Sequence, residues 1–345
     1  SVIIPVHNGS MWLDSCFKSI TSQTILETMA IEVSIYNDGS TDNTKKIIEE
    51  WQSKLRGSEI YITVSHGAGQ AKGVGFAKNQ AVHQSSGEFL CFQDVDDEML
   101  PCRISFQLEE ARQHPRAIIG SKFIRDPPKS TPRFSRWANE LDHKKLSVQI
   151  YTSHGPTVIM PTWFCSREVF HRVGKFSEAG KGTPEDLIFF YKHLDGGGTV
   201  RRIDECLLIY RYHQNAMTFS IHEDTIWNIR IQRLIDNELQ KWPSFTIWNA
   251  GKQGRRFYRS LPPLLQDKVV AMCDIDQKKI GRRYQPYFPD DPKRTKTTRP
   301  IPIIGFQEAS PPFVICIKLD LTDGEFEKNL ASLRLMEGED YVLFS

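Results

Sequence analysis

Four apolar runs alternate with three amphipathic stretches through the first 92 residues, and this alternation constrains the fold more than any other feature of the chain. Residues 1–6, 30–36, 60–64 and 88–92 read as strands, and residues 12–23, 42–55 and 75–84 as helices, with Ser40-Thr41-Asp42 as candidate caps. Strands separated by helices form a parallel sheet, so the expected class is α/β with a Rossmann-like, mostly parallel sheet. Its loops gather at the carboxyl ends of the strands, where such sheets bind ligands.

The fourth strand runs straight into Gln93-Asp94-Val95-Asp96-Asp97. Three carboxylates in four positions repel one another unless a cation offsets them. Oxygen-only ligands in a tight group suit a hard divalent ion, Mg²⁺ or Mn²⁺, usually shared with substrate phosphates. An isolated run of this kind is more often a solvated turn; the rest of the chain reverses that preference.

With 345 residues, 39% of them hydrophobic, the chain has the length of about two domains and enough apolar content for a core. No apolar run approaches the roughly 18 residues a membrane span needs, so no membrane partner is expected. No stretch reads as a secretory leader. The seven cysteines are odd in number, scattered and without a CxxC pair, which reads as free thiols in a reducing compartment with no disulfide partner. A glycan on the sequon Asn8-Gly9-Ser10 would sit in the first strand-to-loop turn and block it. The expected location is therefore cytoplasmic.

Further motifs end the other strands. Pro5-Val6-His7-Asn8 closes the first and Asn37-Asp38-Gly39-Ser40 the second; Gly75-Phe76-Ala77-Lys78-Asn79 and Ser86-Gly87-Glu88-Phe89 precede the acidic run. Together they resemble the GT-A fold glycosyltransferases of family 2, over residues 1–218. That resemblance implies a metal-dependent, inverting transfer from a UDP-sugar. It implies that Pro5, Val6, Asn8 and Val95 line the nucleotide pocket, that Asp38 pairs with the uracil ring and that Asp94 faces the ribose. Asp96 would hold the metal, with His213 as a further ligand; Lys78 would contact the diphosphate or the base, and Arg211 a phosphate. The family usually carries arginine where this chain has Lys78, which loses the bidentate fork.

Gly182-Thr183-Pro184-Glu185-Asp186 is, taken alone, a helix start with favourable acids. By the same resemblance Asp186 is the general base and Glu185 orients the acceptor or its neighbours. Trp163 and Thr162 would line the acceptor pocket, an aromatic ring there being able to stack on a sugar or base. Residues 125–145, rich in proline and polar residues, read as a long insertion loop.

The expected organisation is a catalytic domain at 1–222, a connector helix at 223–243 and a smaller degenerate Rossmann-like domain at 244–345. The last opens with Asn249-Ala250-Gly251-Lys252-Gln253-Gly254, a dinucleotide fingerprint that lacks its first glycine, followed by Asp274 and Asp276. Charge is concentrated there: residues 251–299 carry 13 Lys+Arg against 5 Asp+Glu, although the whole chain nets only +2. Arg255, Arg256, Arg259, Arg282, Arg283, Lys293, Arg294 and Lys296 form a candidate RNA-binding face. The whole-chain arrangement also resembles animal galactosyltransferases that modify queuosine, implying UDP-galactose as donor and tRNA as acceptor. Alternatives are the same transfer to a glycan or protein, or a non-catalytic RNA-binding protein, against which the intact Asp94, Asp96 and Asp186 argue.

Overall fold

The computed structural model describes residues 1–214 and 220–345. The chain divides into two compact units, one of Ser1–Ser147 with Pro156–Thr225, the other of Val148–Gly155 with Ile226–Ser345.

In the first unit, strands β1 (Val2–Val6), β2 (Ile31–Asn37), β3 (Ile60–His66) and β4 (Phe89–Phe92) alternate with helices α1 (Leu13–Thr21), α2 (Thr44–Lys54) and α3 (Val74–Gln84). Then follow β5 (Glu98–Met99), α4 (Arg103–Gln113), β6 (Ala117–Asp126), α5 (Pro132–Glu140) and α6 (Lys145–Val148). The unit closes with β7 (Phe164–Ser166), α7 (Arg167–Val173), α8 (Glu185–Asp195) and β8 (Thr199–Arg211). Eight strands form one mostly parallel sheet in the order β3-β2-β1-β4-β7-β6-β8-β5, with β7 and β5 antiparallel to their neighbours. Every residue of β1 is buried, as a strand covered by helices on both faces requires. Ile4, Val33, Ile35, Phe17 and Ile48 build the core between sheet and helices.

The acidic loop lies between β4, at the centre of the sheet, and β5, which pairs with the end of β8 through Glu98 opposite Ile209. Two residues of pairing thus bring Arg211 and His213 beside the three aspartates.

The expected insertion loop at 125–145 is corrected by α5. Pro132 occupies its first turn, where a missing N–H costs nothing, and Trp137, Ala138 and Leu141 are buried. Apolar residues at 134, 137, 138 and 141 follow the helical period, a signal masked by the flanking prolines.

The second unit contains α9 (Glu223–Leu234), which starts before the boundary, then β9 (Phe245–Trp248), α10 (Lys252–Ser260), α11 (Pro263–Gln266) and β10 (Val269–Asp274). After these come β11 (Arg283–Tyr284), α12 (Pro292–Thr297), β12 (Ile301–Gly305), β13 (Phe313–Ile315), α13 (Glu325–Ser332) and β14 (Tyr341–Leu343). Its sheet runs β11-β12-β10-β9-β13-β14, parallel except at β11. The parallel strands run outward from β9 in chain order on both sides, β10 and β12 on one and β13 and β14 on the other, a doubly wound arrangement to which β11 adds an antiparallel edge. Residues 148–155 join this unit because the buried Arg230 guanidinium donates to the Tyr151 carbonyl at 3.0 and 2.6 Å.

Candidate active site

Oxygens of Asp94, Asp96 and Asp97 all lie within 4.8 Å of one another. A buried polar scaffold aims the loop that carries them. Arg103, fully buried, donates to Gln93 Oε1 (2.7 Å) and to the carbonyls of Phe92 and Pro161 (2.8 Å each). Gln93 in turn donates to the carbonyls of Asp94 (2.8 Å) and Asp97 (2.9 Å). Neither residue was singled out from the sequence. An arginine and a glutamine ten positions apart carry no signal until a fold buries them together.

The cluster is electrostatically unfinished. Burial first, then the neighbouring Asp96 and Asp94 charges, push the Asp97 carboxyl well above its ordinary range. Asp97 Oδ1 accepts the Arg211 N–H at 2.9 Å, while Oδ2 is buried without a partner among the described residues. Burial likewise pushes Asp94 up to about 6, with Lys78 opposing and Asp96 adding to the shift. A buried, partnerless carboxylate oxygen beside two more carboxylates fits a divalent cation, which would supply the missing charge. His213 Nε2 lies 2.8 Å from Asp96 Oδ2, within reach of the same position.

The nucleotide-pocket residues divide by exposure. Pro5 and Val6 are buried strand residues, whereas Asn8 is exposed, with φ +53°. Asn8 Oδ1 accepts the Thr41 N–H at 2.8 Å, tying the first loop to the second. Asp38 is buried, and its Oδ2 accepts the N–H groups of Lys72 (2.9 Å) and Gly73 (2.8 Å). Its Oδ1 has no partner among the described residues. Gly9 was overlooked: a Cβ there would stand 2.6 Å from Val6 and 3.2 Å from Val95, so glycine lets the first loop lie against the acidic one.

On the other flank Glu185 and Asp186 begin α8. Burial, then the adjacent Glu185 charge, push Asp186 up to about 6. Gly75 sets α3 against this helix start, since a Cβ there would come 2.1 Å from the Ser177 carbonyl oxygen. The close approach brings Lys78 Nζ to 2.9 Å from Glu185 Oε1 in a buried ion pair. Burial alone would lower the Lys78 ammonium; the Glu185 and Asp94 charges override it and hold the group above its ordinary value.

Four expectations need correction. Lys78 is 2% exposed and spends its charge on Glu185, so it is not an open diphosphate contact. The Arg211 guanidinium pairs with Glu98 and Asp126 and donates to the Asp96 carbonyl at 2.9 Å, which makes it a strut of the acidic loop and not a free phosphate ligand. Trp163 and Thr162 are core residues, 1% and 0% exposed. Trp163 Nε1 donates to the Val158 carbonyl at 2.8 Å and its ring packs on Phe189, so neither lines an acceptor pocket.

In the second unit the basic residues gather around aromatic rings. The Arg255 guanidinium lies 5.1 Å from the Tyr284 ring, and Arg259 Nη1 donates to the Tyr284 hydroxyl at 3.0 Å. Arg294 lies 4.1 Å from the Phe288 ring, and Arg256 3.9 Å from that of Trp227. Arg282, Arg283, Lys293 and Lys296 are exposed.

Comparison with known proteins places these features. Residues 1–174 match the family described as glycosyl transferase family 2. The chain is 26% identical over 279 residues to the uncharacterised glycosyltransferase EpsJ of Bacillus subtilis, covering 79% of this chain and 78% of that one. It is 34% identical over 97 residues to the poly(ribitol-phosphate) β-N-acetylglucosaminyltransferase TarS of Staphylococcus aureus, 28% of this chain but only 16% of that protein's length. The crystal structure of TarS residues 1–349 with UDP-GlcNAc superposes with a TM-score of 0.55 at 16% identity, covering 78% of this chain and 83% of that one.

Proposed function

The chain belongs to glycosyl transferase family 2, and from that membership we propose that it transfers a hexose from a UDP-sugar to an acceptor hydroxyl with inversion. The observation that carries the reading is the pairing of an unfinished acidic cluster with a raised carboxyl at the start of α8. Asp186 is the base. A group held near 6 is largely ionised at neutral pH yet basic enough to take the acceptor proton. As the acceptor oxygen bonds to the anomeric carbon, the bond from that carbon to the diphosphate oxygen breaks and its electron pair leaves with UDP. Asp94, Asp96, Asp97 and His213 would hold Mn²⁺ or Mg²⁺, which neutralises charge developing on the departing diphosphate. Asp38 Oδ1 accepts from the uracil ring, and Asn8 and Val95 bound the same pocket. Glu185 holds Asp186 in place through its ion pair with Lys78.

The donor is UDP-galactose and the acceptor queuosine in tRNA. Supporting this are the whole-chain resemblance and the Arg and Lys residues clustered around Tyr284 and Phe288, a composition suited to phosphate backbones. Among the described residues no helix is long and apolar enough to cross a membrane. All seven cysteines are unpaired, which fits a cytoplasmic enzyme. The second reading is transfer to a glycan or other phosphate-bearing polymer, favoured by the similarity to TarS, whose name gives poly(ribitol-phosphate) as acceptor.

Radiolabel from UDP-galactose with Mn²⁺ is followed into total RNA containing queuosine-modified tRNA. UDP-glucose and UDP-N-acetylglucosamine run in parallel, with Asp186→Asn as control. Label in tRNA that vanishes in the variant establishes reaction and acceptor together. Donor hydrolysis without RNA labelling keeps the transferase and discards the tRNA acceptor. Equal labelling by variant and wild type removes Asp186 as base.

A further inference from the structure

The second unit contains a cavity of about 180 Å³ at the carboxyl ends of its central strands. Asn249 follows β9, Asp274 and Ile275 lie at the end of β10, and Ile317 lies just beyond β13; Phe326 and Asn329 of α13 close the other side. The walls thus come from both halves of the sheet. β9 is the strand from which the order runs outward in both directions. A reversal of this kind opens a crevice at the strand ends, where open α/β sheets take their ligands.

Size and chemistry narrow the occupant. At about 180 Å³ the cavity falls below the roughly 300–1,000 Å³ of drug-sized pockets, so it holds one ring system and not a dinucleotide. Ile275, Ile317 and Phe326 supply apolar packing. The Asn329 carboxamide has no partner among the described residues, and it presents a donor and an acceptor in one plane, the complement of a nucleobase edge.

The acidic group that would bind a ribose diol in a dinucleotide fold is occupied. Asp274 accepts the N–H groups of Ala250, Ile275 and Asp276 and the Lys279 ammonium, each at 3.0 Å. Asn249, in place of the fingerprint's first glycine, uses its Oδ1 to hold the Gly251 N–H at 2.7 Å. That amide is then not open to a diphosphate.

We propose that the second unit binds a single nucleobase, as the free base or its nucleoside, in this cavity, with Asn329 reading the base edge and no dinucleotide cofactor taken. Base binding by this unit does not depend on the transferase chemistry of the first.

Binding of adenosine, guanosine, cytidine, uridine and NAD to the full chain is measured by calorimetry. The same titrations use Asn329→Leu, which removes the edge contacts, and Ile317→Trp, which fills the cavity. Thermal melts of both variants establish that they are folded. The expected result is binding of at least one nucleoside, weakened about tenfold in Asn329→Leu and abolished in Ile317→Trp, with no comparable affinity for NAD. Three results overturn the proposal: no nucleoside bound by wild type, binding unchanged in both folded variants, or NAD bound as tightly as the nucleosides.

Discussion

Both units place aspartate at or just beyond the carboxyl end of a central parallel strand, and the two could hardly differ more. Asp274 ends β10 with four donors on its two oxygens; burial alone would raise it, but the Asp276 N–H, the Lys279 ammonium and the Ala250 N–H hold it below the ordinary range. The cluster after β4 has the opposite balance: Asp94 is pushed up to about 6, Asp97 is held well above its ordinary range, and Asp97 Oδ2 has no partner among the described residues. A satisfied carboxylate is part of the architecture. An unsatisfied buried one is destabilising unless something arrives to complete it, which is the ground on which the first cluster is proposed as a ligand site.

The largest effect that tests this contrast is on catalysis. Asp186→Asn should lower kcat by roughly 10²- to 10⁴-fold while leaving the melting curve close to wild type, read from label transfer and calorimetry. A loss below tenfold would put Asp186 on the architectural side. Glu185→Gln breaks a buried ion pair and leaves Lys78 charged and unpaired, so it should destabilise the first unit by about 3–5 kcal/mol in denaturant titration. It also removes the negative neighbour of Asp186. The acid limb of the wild-type rate profile, expected near 6 because the base must be deprotonated, should then move to lower pH.

Asp274→Asn gives the converse. It should cost about 1–3 kcal/mol of second-unit stability through lost charge-assisted hydrogen bonds, with transfer activity within about twofold of wild type. Because the folded carboxyl lies below its unfolded value, its contribution is present above the unfolded pKa and lost as pH falls through the folded one. The smallest expected effect is a Mn²⁺-dependent rise of a few degrees in melting temperature, absent in Asp96→Asn. For Asp94 the folded value is the higher one. Its favourable contribution is present below the unfolded value of about 3.9 and lost as pH rises through about 6, so the Mn²⁺ shift should be larger at pH 7.5 than at pH 5. Equal shifts at both would mean the cluster is not what the cation completes.

Much of the first unit was legible because its signals are local. β1 to β4 are continuous apolar runs, α1 to α3 carry helical periodicity, and Asp94-Val95-Asp96-Asp97 is contiguous. The residues that turn these into a site were not legible. Lys78 and Glu185 stand 107 positions apart and meet because Gly75 admits the Ser177 carbonyl. Trp163 looked like a binding aromatic because a sequence shows residue type and not exposure. Arg211 looked free because its two carboxylate partners, Glu98 and Asp126, lie on β5 and at the end of β6.

The order of elements through β4, the α/β class and the residue types at each strand end follow from the sequence alone, since propensity, periodicity and side-chain type act over a few residues. Which carboxylates remain unpaired was decided by the tertiary structure. Satisfaction and burial depend on contacts between distant segments: Asp274 is completed by Lys279 and the loop after β9, while Asp97 Oδ2 is left without a partner by everything packed around it.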